Sequence, residues 1–253
     1  MNYSTFDTYA PRVALLPLVP VLLLQGRYVR RVTPLLPEAA GPSTGVVPGE
    51  GLPLSLLVLG ESTVAGVGAP DHARALTGQL AQALAARAGH PVRWRALGRS
   101  GYTAARARRR LLPELPAGPV DAVVLALGVN DTLQGRAPAR WADDLASLIA
   151  GVREQVGQAP VLLASVPPMG MFPALPQPLR WAMGWRAATL ARAAARLAPS
   201  LARVRYSAAQ LDSATGFFCA DRFHPSVEGY RVWGGLLAAE LMDLLSFSPG
   251  PLP

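Results

Sequence analysis

Ser62 and the pair Asp221 and His224 are the residues of this 253-residue chain whose types and settings best suit covalent chemistry. A serine hydroxyl is a weak nucleophile at neutral pH. It becomes competent when an imidazole takes its proton and a carboxylate holds that imidazole in the correct tautomer. Ser62 stands two residues beyond a run of four apolar residues, Leu56 to Leu59, closed by Gly60, and far downstream Asp221, Arg222, Phe223, His224 and Pro225 place an acid and an imidazole three residues apart in a segment that reads as loop. The chain has only three histidines. His72 falls where a helix should begin and His90 lies in an Ala-Gly-His-Pro turn, so both read as surface residues. Taken alone, Ser62 could equally be the N-cap of the next helix, a role that serine favours.

The elements that must position these groups follow from hydrophobic patterning. Continuous apolar runs at 54–60 and at Val120 to Gly128 suit strands buried on both faces, as the centre of a parallel sheet requires. Further strands are expected near 92–97, from Pro160 onward and near 203–206, with helices near 72–88, 103–112, 139–156 and 226–245. Such alternation predicts an α/β fold of three layers, α/β/α, with a flavodoxin-like, parallel, five-stranded sheet. In an open α/β sheet reacting groups gather beyond the carboxyl ends of the strands. Gly98, Gly101, Gly128, Asn130 and Asp131 then fall on the same edge as Ser62. Attack on an ester carbonyl builds negative charge on oxygen, which fixed donors stabilise. Asn130 can donate from its side chain, and Gly101 lets a backbone amide approach without a Cβ in the way. A turn that merely caps the next helix is the plainer reading of Gly-Val-Asn-Asp.

Four ordered blocks carry a resemblance. Gly60-Glu61-Ser62, Arg99-Ser100-Gly101, Gly128-Val129-Asn130-Asp131 and Asp221 to Pro225 are similar to the blocks of the SGNH (GDSL-type) hydrolase superfamily over roughly Leu54 to Leu245. The resemblance implies a serine esterase or lipase-like hydrolase of acyl esters working through an acyl-enzyme. It implies Ser62 as nucleophile, His224 as base, Asp221 as its orienter, and Gly101 and Asn130 as oxyanion donors beside the Ser62 amide. A thioesterase, a carbohydrate O-deacetylase and a catalytically silent binding domain are the alternatives on the same scaffold. Two positions depart from the pattern: Glu61 replaces the usual aspartate, and Ala96 stands where asparagine is common. The Gly-x-Ser-x-Gly elbow of α/β-hydrolases is absent, since Val64 occupies its closing position.

No cofactor and no metal are expected. Cys219, Asp221 and His224 could be imagined as ligands, but no second His/Cys group stands at ligand spacing. The single cysteine excludes an intrachain disulfide. The stretch Pro167 to Trp185 leaves the fourth strand on the catalytic edge, and its Met169, Met171, Phe172, Trp181 and Trp185 offer adaptable apolar surface for an acyl or lipid substrate, or else close the core.

All 24 basic residues are arginine, and the net charge is +8. A basic chain is drawn to nucleic acid or anionic membrane. No nucleic-acid motif accompanies the charge, so no nucleic-acid partner is expected, and Arg106 to Arg110 read as the solvated face of a helix. Residues 1–36 read as an apolar arm, 37–53 as a Gly/Pro-rich linker and 54–247 as the catalytic domain. Fourteen uncharged residues precede Arg27 and would extend about 21 Å as a helix, short of a roughly 30 Å hydrocarbon core. Residues 13–31 therefore read as a segment resting on a membrane surface, packed on the domain, or serving as a signal or span. A cytoplasmic or peripheral location is expected, with secretion left open.

Overall fold

A computed structural model describes residues 16–115, 117–209, 211 and 216–246. Helix α1 (Val19–Val32) precedes strand β1 (Thr44–Val47) and the buried strand β2 (Leu54–Gly60). There follow α2 (Leu76–Ala88), β3 (Val92–Gly98), α3 (Ala104–Leu111), β4 (Ala122–Ala126), the short α4 (Val129–Leu133) and α5 (Pro138–Val156). The series ends with β5 (Val161–Leu163), α6 (Leu179–Leu197), β6 (Val204–Tyr206) and α7 (Val227–Ser246).

The sheet order is β1-β3-β2-β4-β5-β6. Strands β3, β2, β4, β5 and β6 are parallel, which is the expected flavodoxin-like core. From β2 the chain winds outward to β3 on one side and then crosses back to β4 on the other. The carboxyl end of β2 is therefore a topological switch point, where an open sheet leaves a crevice. Successive β2 side chains alternate between two cores. Leu57 and Leu59 pack with α3, α5 and α6, whereas Leu56 and Val58 pack with α2 and α7. Each of the four is at most 2% exposed, so the uninterrupted apolar run reflects cover on both faces.

The structure corrects the sequence reading on the amino-terminal side. The sheet has six strands rather than five, because Thr44–Val47 pairs antiparallel with β3 at its edge. Residues 37–53 are accordingly no free linker. Ala39 donates to Ala65 O at 2.9 Å, Ala40 bridges Asp71, and the Trp94 ring lies where a Cβ on Gly45 would approach within 2.4 Å. A four-residue edge strand with Val46 exposed and Pro or Gly on both sides offers too little apolar period to be recognised. Helix α1 is held by Gln25, which donates to Gln177 O at 2.7 Å and accepts from Leu179 N at 3.0 Å, and by Val29, its one buried side chain. Residues 1–15 of the arm lie outside the described residues.

The second difference is α6. Nineteen residues from Leu179 are helical, although the stretch through Trp185 reads as loop. Its prolines sit just before the helix, where a fixed φ suits the first turn, and its inner face is built largely from alanine, which leaves little contrast in hydrophobicity. Met169 is wholly buried beneath this helix, Trp181 is 47% exposed on it, and Trp185 is half-buried.

Candidate active site

The chain reverses sharply after β2, and Gly60 is needed there: a Cβ would lie 2.3 Å from Ala126 O of the neighbouring strand. Two residues later the Ser62 hydroxyl lies 3.0 Å from His224 Nε2, and His224 Nδ1 lies 2.6 Å from Asp221 Oδ2. Serine, imidazole and carboxylate thus form one hydrogen-bonded line across 162 residues of sequence. The Asp221 to His224 turn is tight because Arg222 takes φ +59°, a left-handed conformation unusual for a residue with a side chain. That turn lets Asp221 Oδ1 accept from the Phe223 and His224 amides, both at 2.9 Å, and from the Cys219 thiol at 3.0 Å.

Electrostatics agree with this geometry. Burial pushes the Asp221 carboxyl up, but hydrogen bonds from His224, Cys219 and two backbone amides outweigh it and bring it down to about 2. The group is therefore anionic at any pH near neutral. Cys219 is pushed up to about 12, first by burial and then by Asp221, so its thiol stays protonated and donates. It serves the acid as a hydrogen-bond donor and presents no thiolate.

Two loops face Ser62 from the flanking strands. Gly101, after β3, takes φ +78°, and Asn130 lies in the first turn of α4, after β4. Among the described residues, the backbone N–H groups of Ser62 and Gly101 donate to no acceptor. Sequence reasoning missed what holds these loops. Glu38, in the supposed linker, accepts from Ser100 N at 2.8 Å, and Asp131 accepts from Ala104 N at 3.0 Å. Glu61 accepts from both Val129 and Asn130. An acid next to Ser62 and another next to Asn130 were the available signals, whereas Glu38 stands 62 residues from Ser100. Within Arg106 to Arg110 of α3 all four arginines are exposed and Ala107 is buried, as is Leu111 after them, which is the solvated face expected.

An apolar cavity opens beside Ser62 and His224. Its walls include Met171, Phe172, Phe217, Phe218, Phe223 and Trp233, and Phe172 meets Phe218 and Phe223 edge to face at 5.4 and 5.0 Å between centroids. The free space is about 20 Å³. Of the five side chains expected to line a pocket, only Met171 and Phe172 do so, whereas Met169, Trp181 and Trp185 stand elsewhere. Aromatic residues flanking His224 in sequence supply the wall instead, because the loop that carries the base also carries them.

Two buried carboxyls have the opposite shift from Asp221. Glu61 is pushed up to about 7, chiefly by burial, against the amides that bond it. Asp131 is pushed up to about 6, again chiefly by burial. In the unfolded chain both ionise at lower pH, so the unfolded state sheds its protons first. Stability is then highest below about pH 4 for these groups and falls as pH rises, to about 6 for Asp131 and about 7 for Glu61, by about 3 kcal/mol for Glu61. A thermal or urea midpoint lower at pH 8 than at pH 5 is the expected result, and a midpoint higher at pH 8 would contradict it.

Comparison with known proteins shows the family. The GDSL-like lipase/acylhydrolase family matches residues 58–232. The chain is 28% identical over 247 residues to the GDSL-like esterase Rv1075c of Mycobacterium tuberculosis, covering 89% of this chain and 77% of that protein. Its fold resembles the lipase Lip_vut3 from a goat rumen metagenome, with TM-score 0.60, 17% identity, and coverage of 74% of this chain and 96% of that one. It also resembles Est24, a carbohydrate acetylesterase from Sinorhizobium meliloti, with TM-score 0.55, 21% identity, and coverage of 76% and 99%. With the family blocks 58–232 containing both Ser62 and His224, the chain belongs to the GDSL-like lipase/acylhydrolase family.

Proposed function

We propose that this protein is a serine carboxylic ester hydrolase that works through an acyl-enzyme and accepts short acyl groups. The observation that carries the reading is the line from Ser62 through His224 to Asp221 at 3.0 and 2.6 Å. Ser62 Oγ attacks the ester carbonyl while His224 Nε2 takes its proton. Asp221 holds Nδ1–H and stabilises the imidazolium that forms. The oxyanion is met by the Ser62 and Gly101 amides and the Asn130 side chain. Its collapse expels the alcohol, to which the imidazolium returns the proton. Water, activated by the same imidazole, then releases the acid. No step calls for a metal or cofactor.

Short acyl groups follow from the cavity. Free space of about 20 Å³ is little more than one water needs, and closely packed aromatic walls resist expansion. An acetyl group fits such a space with small adjustments, whereas a long lipid chain does not, which reverses the preference that the methionine-rich loop suggests in the sequence. A carbohydrate O-deacetylase is the second reading, since an acetyl group is the smallest acyl cargo. The experiment is a series of p-nitrophenyl esters from acetate to palmitate. Here kcat/KM should be highest at two to four carbons and fall by at least about tenfold at eight, because forcing extra methylenes against close-packed walls costs about 1 to 3 kcal/mol. A maximum at eight carbons or beyond would overturn the short-acyl reading and leave the serine mechanism standing.

Helix α1 supports one further part of the proposal, docking on an anionic bilayer. It exposes Leu23, Leu24, Tyr28 and Val32 together with Arg27, Arg30 and Arg31, and it carries no acid. Apolar side chains enter the interface while arginines meet lipid phosphates. No helix among the described residues is long and apolar enough to cross a membrane. Deleting residues 1–33 should leave folded, active protein that partitions less onto phosphatidylserine liposomes. Deleting residues 1–48 should cost stability as well, because it removes Glu38, Ala39 and β1. Unchanged partition of the shorter deletion would sink the docking.

A further inference from the structure

Glu61 departs from the family pattern at the residue next to Ser62, and the structure gives it a definite set of partners. It is 2% exposed. Oε1 accepts from Val129 N at 2.9 Å, while Oε2 accepts from Asn130 N at 2.9 Å and from Asn130 Nδ2 at 2.5 Å. Its own backbone is tied down as well: Glu61 N donates to Ala126 O, and Glu61 O accepts from the Val64 and Ala65 amides. One residue thereby joins the turn that presents Ser62 to the turn that presents Asn130.

Every partner of the carboxylate is an N–H donor. An anion satisfies all three; a neutral acid would aim its own proton at a donor. The bond to Nδ2 matters most for chemistry. A primary amide is planar and has two N–H groups, and rotation about its terminal torsion is soft. Fixing one N–H on Oε2 sets the plane and so the direction of the other. A donor that is oriented before charge develops stabilises it without reorganisation. Aspartate at this position would be one C–C bond shorter, about 1.5 Å, and would need a different backbone approach to reach the same amide.

We infer that Glu61 is a positioning residue of the oxyanion hole, whose carboxylate clamps the Asn130 side-chain amide so that its second N–H faces the oxyanion formed at Ser62. Resting on the serine-hydrolase reading, this assigns Glu61 an effect on turnover that passes through Asn130 alone. A buried acid that only braced the loop would change stability and leave the kcat contribution of Asn130 intact. Glu61→Met, of similar length and with no acceptor, discriminates the two, whereas a glutamine that turned its oxygen to Asn130 would keep the bond to Nδ2 and lose only that of Val129 N.

The test is a double-mutant cycle of Glu61→Met and Asn130→Ala on the full chain, with p-nitrophenyl acetate as substrate. Asn130→Ala should lower kcat by about 10² to 10³ with little change in KM. Glu61→Met should lower kcat by about 10- to 100-fold, also with little change in KM, and in the Asn130→Ala background should lower it by less than about twofold. The cycle is read in parallel in the rate at which a fluorophosphonate labels Ser62, whose phosphoryl oxygen occupies the same hole. If Glu61→Met does not fold, Glu61→Asp takes its place, keeping the charge while drawing it back from the amide. Falls that multiply, or a Glu61 variant with wild-type kcat and Asn130 still contributing, would overturn the inference while labelled Ser62 leaves the esterase reading intact. A wild-type protein neither labelled nor active would defeat that reading, and the inference with it.

Discussion

Ser62→Ala is expected to abolish ester turnover, by about 10⁶-fold in kcat, and to remove all labelling by a fluorophosphonate. The magnitude follows from the loss of the covalent route itself. His224 and Asp221 can still orient a water, and the amide donors still meet the carbonyl oxygen, so a residual rate above that in water should persist. The variant should fold as well as the wild type. Ser62 is only partly buried, its hydroxyl bonds to His224 Nε2, and the turn around it is held by backbone bonds from Val64 and Ala65 to Glu61 and from Val67 to Ser62. Equal thermal midpoints with turnover gone are the expected pair of results. Label on Ser100 with Ser62 untouched would defeat the assignment.

Asp221→Asn should lower kcat by about 10⁴-fold, and the reason is the direction of one hydrogen bond. Oδ1 of Asp221 accepts from two backbone amides and the Cys219 thiol, while Oδ2 accepts from His224 Nδ1. In asparagine the oxygen must stay with the three donors. The NH2 group then faces Nδ1 and forces it to accept, which puts the ring proton on Nε2. An imidazole protonated there cannot take the Ser62 proton at 3.0 Å. The acid also stabilises imidazolium, and at about 2 it remains charged throughout the range in which the base works. A loss of less than tenfold would show that the aspartate only shapes the turn.

The Glu61 clamp implies a compromise between activity and stability. Its ionised form completes the clamp, yet burial makes that form the costly one, with the carboxyl raised to about 7. Raising pH through that value should favour turnover and weaken the fold. Asp131, one residue beyond Asn130 and raised to about 6, adds to the cost in the same sense. Strain of this kind at a site is sustained by the apolar burial around it, here the two cores on either side of β2.

Local patterning revealed the parallel core because each of its central strands is covered on both faces and needs an unbroken apolar run. It singled out Ser62, Asn130 and His224 as candidates because the proposed chemistry demands those side-chain types, whatever surrounds them. It failed for β1, whose four residues are held by the neighbouring β3 and Trp94 rather than by their own period. It failed for α6, whose alanine-lined face packs well while showing little contrast. Pocket side chains were the hardest to read, since burial and exposure of Met169 and Trp181 depend on which way the helix turns above the sheet.

By itself the sequence determined the α/β class and offered, at the carboxyl edge of the sheet, candidates for the groups that attack, accept a proton and donate to an oxyanion. Only the tertiary structure decided that Glu38 and β1 belong to the domain, that Glu61 grips Asn130, and that phenylalanines beside His224 close the cavity to about 20 Å³. The division has a physical cause. Strand burial and catalytic residue type are written in neighbouring letters, whereas clamps and cavity walls join side chains brought together from distant parts of the chain, 69 residues apart for Glu61 and Asn130, and those meetings are set by the packing of helices on both faces of one sheet.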